Sequence, residues 1–182
     1  MIKLSEYKPP SHTIEKIDLK FELSETKTVV TAKIVGYGNN HFEDENSPLK
    51  LNGESQNLIS LELDGVALYG SDFELNDGIL KLDVPTERFE LIVTSEINPS
   101  NNTALEGLYL SEGIFCTQCE PEGFRRITFF PDRPDILTIY TTTVIANKRD
   151  YPVLLSNGNL QDAGDLDNER HFMTWHDPFP KP

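Results

Sequence analysis

The sequence predicts an all-β fold, an antiparallel two-layer β-sandwich, from three observations. Apolar and polar residues alternate in several short segments, and a period of two places one face of a strand on a core and the other in water. Gly, Asn, Asp and Pro separate these segments, as turns do between strands. No long window shows the 3.6-residue period of a helix. Many short strands punctuated in this way are typical of a β-sandwich.

The first predicted element is a long antiparallel hairpin. Its first strand carries alternating apolar residues with a charged residue between each pair, and the apolar positions are Ile17, Leu19, Phe21 and Leu23. Residues 24–27 have the composition of a turn, and residues 28–37 are rich in the β-branched side chains that fit a pleated, half-buried surface. A polar loop over 36–48 follows. We interpret its acidic residues 43–45 as solvated rather than as a calcium site, because the regular spacing of oxygen ligands is missing.

Three short strands are predicted in the middle of the chain. Their apolar positions alternate with polar ones and are Ile59, Leu61 and Leu63, then Leu80, Leu82 and Val84, then Phe89, Leu91 and Val93. The sequences Asp64-Gly65 and Asn76-Asp77-Gly78 between them are typical hairpin turns.

The last third is predicted to contain a long strand over 137–146 and a short strand over 151–159 that ends at an Asn-Gly turn. Residues 162–169 are acidic and are expected to be irregular, and strand character returns over 170–175. Residues 177–182 contain three prolines, which favour an extended backbone. We therefore predict a β-sandwich domain over 1–176 and the start of a linker over 177–182.

Length and charge limit the classes of function. The 182 residues suit one domain with a sizeable core. With 30 acidic and 16 basic residues the net charge is -14, which excludes nucleic acid and anionic membranes as partners, because phosphate binding needs clustered Lys and Arg. The sequence has no run of apolar residues long enough to span a bilayer and no secretory signal. A cytoplasmic location is expected.

No catalytic motif is present in the sequence. The four histidines are scattered and form no His-Glu-x-x-His pair, and neither a Gly-x-Ser-x-Gly elbow nor a phosphate-binding loop occurs. We therefore name no catalytic residue and no metal ligand in this chain.

The functional candidate is the stretch 115–134, which collects both cysteines, several prolines and an Arg pair without a clean strand or helix period. Such loops on a regular framework often carry binding groups. The spacing Cys116-x-x-Cys119 fits half of a zinc site, a redox dithiol or two free cysteines packed under a loop. We favour free cysteines, because a second ligand pair and the βαβ context of a redox site are both missing.

Gln118 and Glu120, in the same stretch, are hydrogen-bond acceptors and are the candidates for binding a ligand. Gln118 supplies a neutral carbonyl acceptor and Glu120 an anionic one, and an extended backbone directs residues two apart to the same side. Two acceptors at one point suit an ammonium group. The alternative is that both are ordinary exposed polar side chains.

Three segments around this pair carry a resemblance to a known family. Residues 117–121, 123–126 and 130–134 resemble the Thr-Gln-x-Glu-Pro, Ala-Arg-Arg and Phe-Pro-x-x-Asp-Glu-Pro pattern of the N-terminal domains of M1-family zinc aminopeptidases. Segments 105–109 and 151–158 and the ending 175–182 are similar to the bacterial members, so the resemblance covers nearly the whole chain. Phe124 departs from the usual Ala of the wider family and Arg133 from the usual Glu.

The resemblance implies a saddle-like β-sandwich that packs against a thermolysin-like catalytic domain of the same polypeptide. It further implies that Gln118 and Glu120 hold the α-amino group at the N-terminus of a peptide substrate, and that the Arg and Pro residues of the stretch brace them. Zinc and its ligands would belong to the catalytic domain, so we expect no cofactor here and no activity of this chain alone. The alternative function is an independent acidic β-sandwich module that binds a cationic peptide or a sugar.

Overall fold

The computed structural model describes residue 5 and residues 7–40 and 47–182. The acidic residues 43–45 lie outside this range. The described part contains short 3-10 helices but no α-helix, and none of its helices is long and apolar enough to cross a membrane. Its strands are β1 (His12–Glu22), β2 (Thr28–Gly38), β3 (Leu49–Asn52), β4 (Gln56–Leu63), β5 (Val66–Leu68), β6 (Phe73–Asn76), β7 (Ile79–Leu82), β8 (Arg88–Ile97), β9 (Gly107–Ser111), β10 (Ile114–Gln118), β11 (Thr138–Asn147), β12 (Asn159–Asp165) and β13 (Arg170–Lys181).

The strands form three sheets around one core, which confirms the predicted all-β sandwich. The large sheet has eight strands in the order β12-β13-β11-β1-β2-β8-β4-β5. The smaller sheets are β3-β7-β6 and β10-β9. Buried side chains of the large sheet, such as Ile17 and Leu91, belong to the same hydrophobic cluster as Leu51 and Leu80 of the three-stranded sheet. The apolar faces of the two layers therefore cover one another.

The predicted hairpin is the centre of the large sheet. β1 pairs antiparallel with β2, with Ile17 opposite Ile34 and Phe21 opposite Val30. On its other side β1 pairs parallel with β11, which the chain reaches only after passing through the smaller sheets. That one parallel pairing is consistent with the long connection that parallel strands need.

Both predicted turns are confirmed as tight hairpin turns. Asp64 and Gly65, between β4 and β5, have φ angles of 49° and 80°, and Asp77 and Gly78, between β6 and β7, have φ angles of 49° and 74°. Positive φ at both central residues matches the right-handed twist of the flanking strands.

The simple alternation predicted for β4 is interrupted by a bulge. Ile59 and Leu61 should share a face, but Ile59 is 55% exposed and Leu61 is 2% exposed. The register with β8 shifts between Leu58 and Ser60, so Ile59 is an extra residue without a partner. A bulge of this kind moves the side chain to the other side of the strand.

Two predictions in the last third are wrong. Residues 151–156 form no strand; Leu154 is buried there, and the carbonyl of Tyr151 is bonded to the ring Nε2 of His171 at 2.8 Å. Residues 162–165, at the start of the acidic segment, instead lie in β12, which tolerates polar side chains because it is an edge strand.

The final strand is longer than the sequence indicates. β13 continues to Lys181, which lies opposite Thr138, and Asp177 lies opposite Tyr140. The segment expected to begin a linker is thus extended and paired with β11. The domain boundary at residue 176 stays a prediction.

Candidate functional site

The stretch 115–134 contains exposed residues, among them Gln118 and Glu120, and a buried run over 127–131. It begins in β10, forms a 3-10 helix at Phe124–Arg126, and then buries Phe129 and Phe130. A groove of about 1030 Å³ runs along it and is lined by side chains that include Phe21 of β1 and Glu120. The predicted loop is therefore placed at the edge of a large concave surface.

Gln118 occupies the end of β10, opposite Gly107. Its side chain is exposed, and its Nε2 donates a hydrogen bond of 2.9 Å to the backbone carbonyl of Glu120. That bond fixes the side-chain amide of Gln118 along the turn that follows β10. The Oε1 atom has no partner within the described residues and is available as an acceptor.

Glu120 keeps an unpaired carboxylate. It is exposed, and no described residue forms a hydrogen bond or an ion pair with its side chain. The acids around it are engaged: Glu122 and Asp132 contact Arg125 at 3.6 and 2.9 Å, and Glu106 contacts Arg126 at 3.2 Å. The turn therefore presents one negative charge that its own arginines do not neutralise, and this charge attracts a cation.

Arg125 connects the turn to the rest of the domain. Its backbone N–H and its Nε both donate to Asp132 Oδ2, at 3.1 and 2.9 Å, and its Nη2 donates to the Asp132 carbonyl at 3.1 Å. Its own carbonyl accepts bonds from the Glu54 N–H at 2.8 Å and from Gln56 Nε2 at 2.7 Å. Arg125 thus ties its own segment, residues 125–132, to the distant residues Glu54 and Gln56.

Gly123 closes the turn. It is buried, and its N–H donates to the carbonyl of Cys119 at 2.9 Å. A Cβ at this position would lie 2.4 Å from the Gln118 carbonyl oxygen and 3.0 Å from the Cys119 Cα. Gly123 and Asp132 lie in the segments that carry the family resemblance, but neither was predicted from the sequence to hold the turn; a Gly beside a motif is a general signal of close backbone approach.

The two cysteines of the stretch are not joined in a disulfide. Cys116 and Cys119 are free thiols and half-buried. Burial, followed by the charges of Asp132 and Glu120, raises the pKa of Cys119 from its ordinary value of 9.0 to about 11. The described part of the chain contains no group of three or more His, Cys, Asp or Glu that could bind a metal ion. These observations support the free-cysteine interpretation over the redox one.

The raised pKa predicts slow alkylation of Cys119. Since only the thiolate reacts, a pKa of about 11 lowers the reactive fraction near pH 8 about 100-fold relative to a thiol with a pKa of 9.0. We expect iodoacetamide to modify Cys119 at least tenfold more slowly in the folded chain than in urea, measured by mass spectrometry of its peptide. Equal rates in the two states would contradict the burial of this thiol.

Comparisons with known proteins agree on one family. The family described as Peptidase M1 N-terminal domain matches residues 74–182. Aminopeptidase N of Escherichia coli K12 is 47% identical over 177 residues, which are 97% of this chain and 20% of that protein. Aminopeptidase N of Caulobacter vibrioides is 44% identical over 181 residues, which are 100% of this chain and 20% of that protein. The chain spans about a fifth of the length of these relatives.

Solved structures share the fold. The structure of Legionella pneumophila aminopeptidase A in complex with aspartic acid has a TM-score of 0.93 and 38% identity, and the match covers 100% of this chain and 21% of that one. An M1 zinc metallopeptidase from Deinococcus radiodurans has a TM-score of 0.77 at 14% identity, with 94% of this chain and 40% of that one covered. The second likeness is one of fold alone.

Proposed function

The chain belongs to the M1 peptidase family as an N-terminal domain, and from this premise we infer that it is the non-catalytic part of a longer zinc-dependent aminopeptidase. We further propose that the turn at Gln118 and Glu120 anchors the free α-amino group of a peptide substrate. The observation that carries this proposal is the exposed Glu120 carboxylate, which has no cationic partner within the described residues while the acids around it are paired.

The chemistry of the pair suits an ammonium group. Glu120 supplies the charge, and Gln118 supplies a neutral carbonyl oxygen whose direction is set by the bond from its Nε2 to the Glu120 carbonyl. A charge-assisted hydrogen bond contributes about 1.5–3 kcal/mol. An amine held at this point fixes the position of the first peptide bond relative to the reacting groups, whereas a blocked amine or an internal peptide bond cannot bind in this way.

The catalytic domain of the same polypeptide is the proposed partner of this chain. Zinc, when bound there, would polarise the scissile carbonyl and activate water. The residues of this chain would act there by positioning the substrate amine. Both cysteines are free, as is usual in a reducing compartment, and we propose a cytoplasmic location.

This division of roles predicts that the chain alone is inactive. We expect no hydrolysis of an alanyl amide by the purified chain, with or without added zinc, and hydrolysis by the longer polypeptide, measured by release of a fluorescent amine. A second preparation of the chain carrying Glu120→Gln controls for contaminating peptidase. Hydrolysis by the chain alone that this substitution removes would contradict the proposal.

A further inference from the structure

We propose that Arg125 is a positioning residue for the Gln118–Glu120 turn and acts through its bonds to Asp132. The inference rests on the proposed amine-anchoring function and identifies how the turn is held. Arg125 forms no hydrogen bond or ion pair with Gln118 or Glu120, all three being described residues, so its effect on the substrate would be indirect. Arg125 is nevertheless the residue that bonds to Asp132, Glu54 and Gln56 behind the turn.

The first step is that Asp132 holds Arg125, the middle residue of the 3-10 helix. One carboxylate oxygen of Asp132 accepts from both the backbone N–H and the Nε of Arg125, and the Asp132 carbonyl accepts from Nη2. The Arg125 and Asp132 side chains are only 20% and 15% exposed. A partly buried, charge-assisted set of bonds is stronger than a surface ion pair, which contributes little.

The second step leads from Arg125 to the turn. Gly123, two residues earlier, contacts the Gln118 carbonyl so closely that no Cβ fits, and its N–H holds the Cys119 carbonyl at 2.9 Å. Gln118 in turn is bonded to the Glu120 backbone. A displacement of Arg125 is therefore passed to Gly123 and then to both acceptors, because Gly123 is buried and packs directly against the Gln118 carbonyl.

The third step is the charge distribution. Arg125 also lies 3.6 Å from Glu122, so its guanidinium is occupied by Asp132 and Glu122 and does not pair with Glu120. Phe124 adds packing behind the turn through edge-on contacts with Phe130 and Tyr140, at centroid distances of 5.0 and 5.9 Å. The arrangement holds the turn rigidly while leaving the Glu120 carboxylate unneutralised.

A double-mutant cycle in the longer polypeptide tests this inference. Lys cannot reproduce the planar fork of Arg, so we expect Arg125→Lys to lower kcat/KM for an alanyl amide about tenfold when Glu120 is present and less than about twofold when Glu120 is replaced by Gln. The same substitution should leave kcat/KM for the propanoyl amide, which lacks the amine, within about twofold of the unsubstituted value, because only the anchored amine depends on the turn.

Arg126→Lys is the matched control. Arg126 is 17% exposed and also contacts two carboxylates, of Glu54 and Glu106, but it contacts neither Asp132 nor Glu122. Its backbone N–H donates to the Gly123 carbonyl at 3.1 Å, a bond that Lys retains, so its substitution should change kcat/KM by the same factor whether residue 120 is Glu or Gln. If Arg125→Lys fails to fold, judged by its melting transition, Asp132→Asn takes its place in the cycle because it keeps an acceptor oxygen for the Arg125 N–H.

Failure of this inference can be distinguished from failure of the proposed function. A tenfold loss for Arg125→Lys with either residue at position 120, or an equal loss for the propanoyl amide, would overturn the positioning role and leave the proposed function intact. No effect of Glu120→Gln alone would overturn the proposed function and this inference with it.

Discussion

Replacing Glu120 by Gln in the longer polypeptide is expected to lower kcat/KM for an alanyl amide by roughly 10- to 150-fold. The substitution keeps the size of the side chain and removes its charge, so the bond to the substrate ammonium loses about 1.5–3 kcal/mol. The melting temperature should stay within about 1 °C, because the carboxylate is exposed and has no partner among the described residues to lose. Steady-state kinetics and a thermal melt measure the two effects.

Glu122→Gln is the matched control for this prediction. Glu122 lies two residues on in the same turn, is 71% exposed, and has its carboxylate next to Arg125. Its substitution should change kcat/KM by less than about threefold, since an exposed ion pair of this kind contributes little. Equal losses for the two substitutions would show that overall charge, and not the carboxylate of Glu120, governs the effect.

Gly123→Ala is expected to lower kcat/KM about 100-fold, the size of effect that a displacement of about 1 Å has on a positioned substrate. The φ and ψ of Gly123, -84° and -20°, suit any residue, so the penalty is steric. The new Cβ would meet the Gln118 carbonyl at 2.4 Å, and two backbone segments must separate. Overpacking of this kind also costs about 1–3 kcal/mol of the free energy of unfolding.

Gly113→Ala is the control that separates a loss of activity from a loss of stability. Gly113 lies in the β9–β10 turn with a φ of 80° and with no atom within 4 Å of an added Cβ, so Ala there costs about 1–2 kcal/mol of backbone strain without a clash. We expect a comparable loss of stability in urea unfolding and a change in kcat/KM of less than about threefold. A similar loss of activity in both variants would mean that stability alone explains the Gly123 result.

The regular strands and turns could be predicted from the sequence because residues close together in the sequence determine them. Alternation in the β1–β2 hairpin and in β8, and the Asp-Gly turns, report directly on backbone geometry. The exceptions depend on distant partners. Ile59 faces outward because of its register with β8, and the strand at 159–165 exists because β13 offers it an edge. No local pattern encodes either partner.

The features of the candidate site also divide into those that the local sequence predicts and those that depend on distant contacts. The acceptor chemistry of Gln118 and Glu120 follows from their side chains, and the family resemblance indicated their role. That Glu120, and not Glu122 or Asp132, keeps an unpaired carboxylate depends on where Arg125 points. The contact between Gly123 and the Gln118 carbonyl is likewise tertiary and has no counterpart in the spacing of residues.

The most direct test of amine anchoring by Glu120 compares two substrates that differ only in the amine. In the longer polypeptide, kcat/KM for an alanyl amide and for the propanoyl amide should differ greatly, and Glu120→Gln should reduce their ratio at least about tenfold by slowing only the free-amine substrate. If the ratio is the same with Glu and with Gln at position 120, the carboxylate does not recognise the amine and the account is wrong.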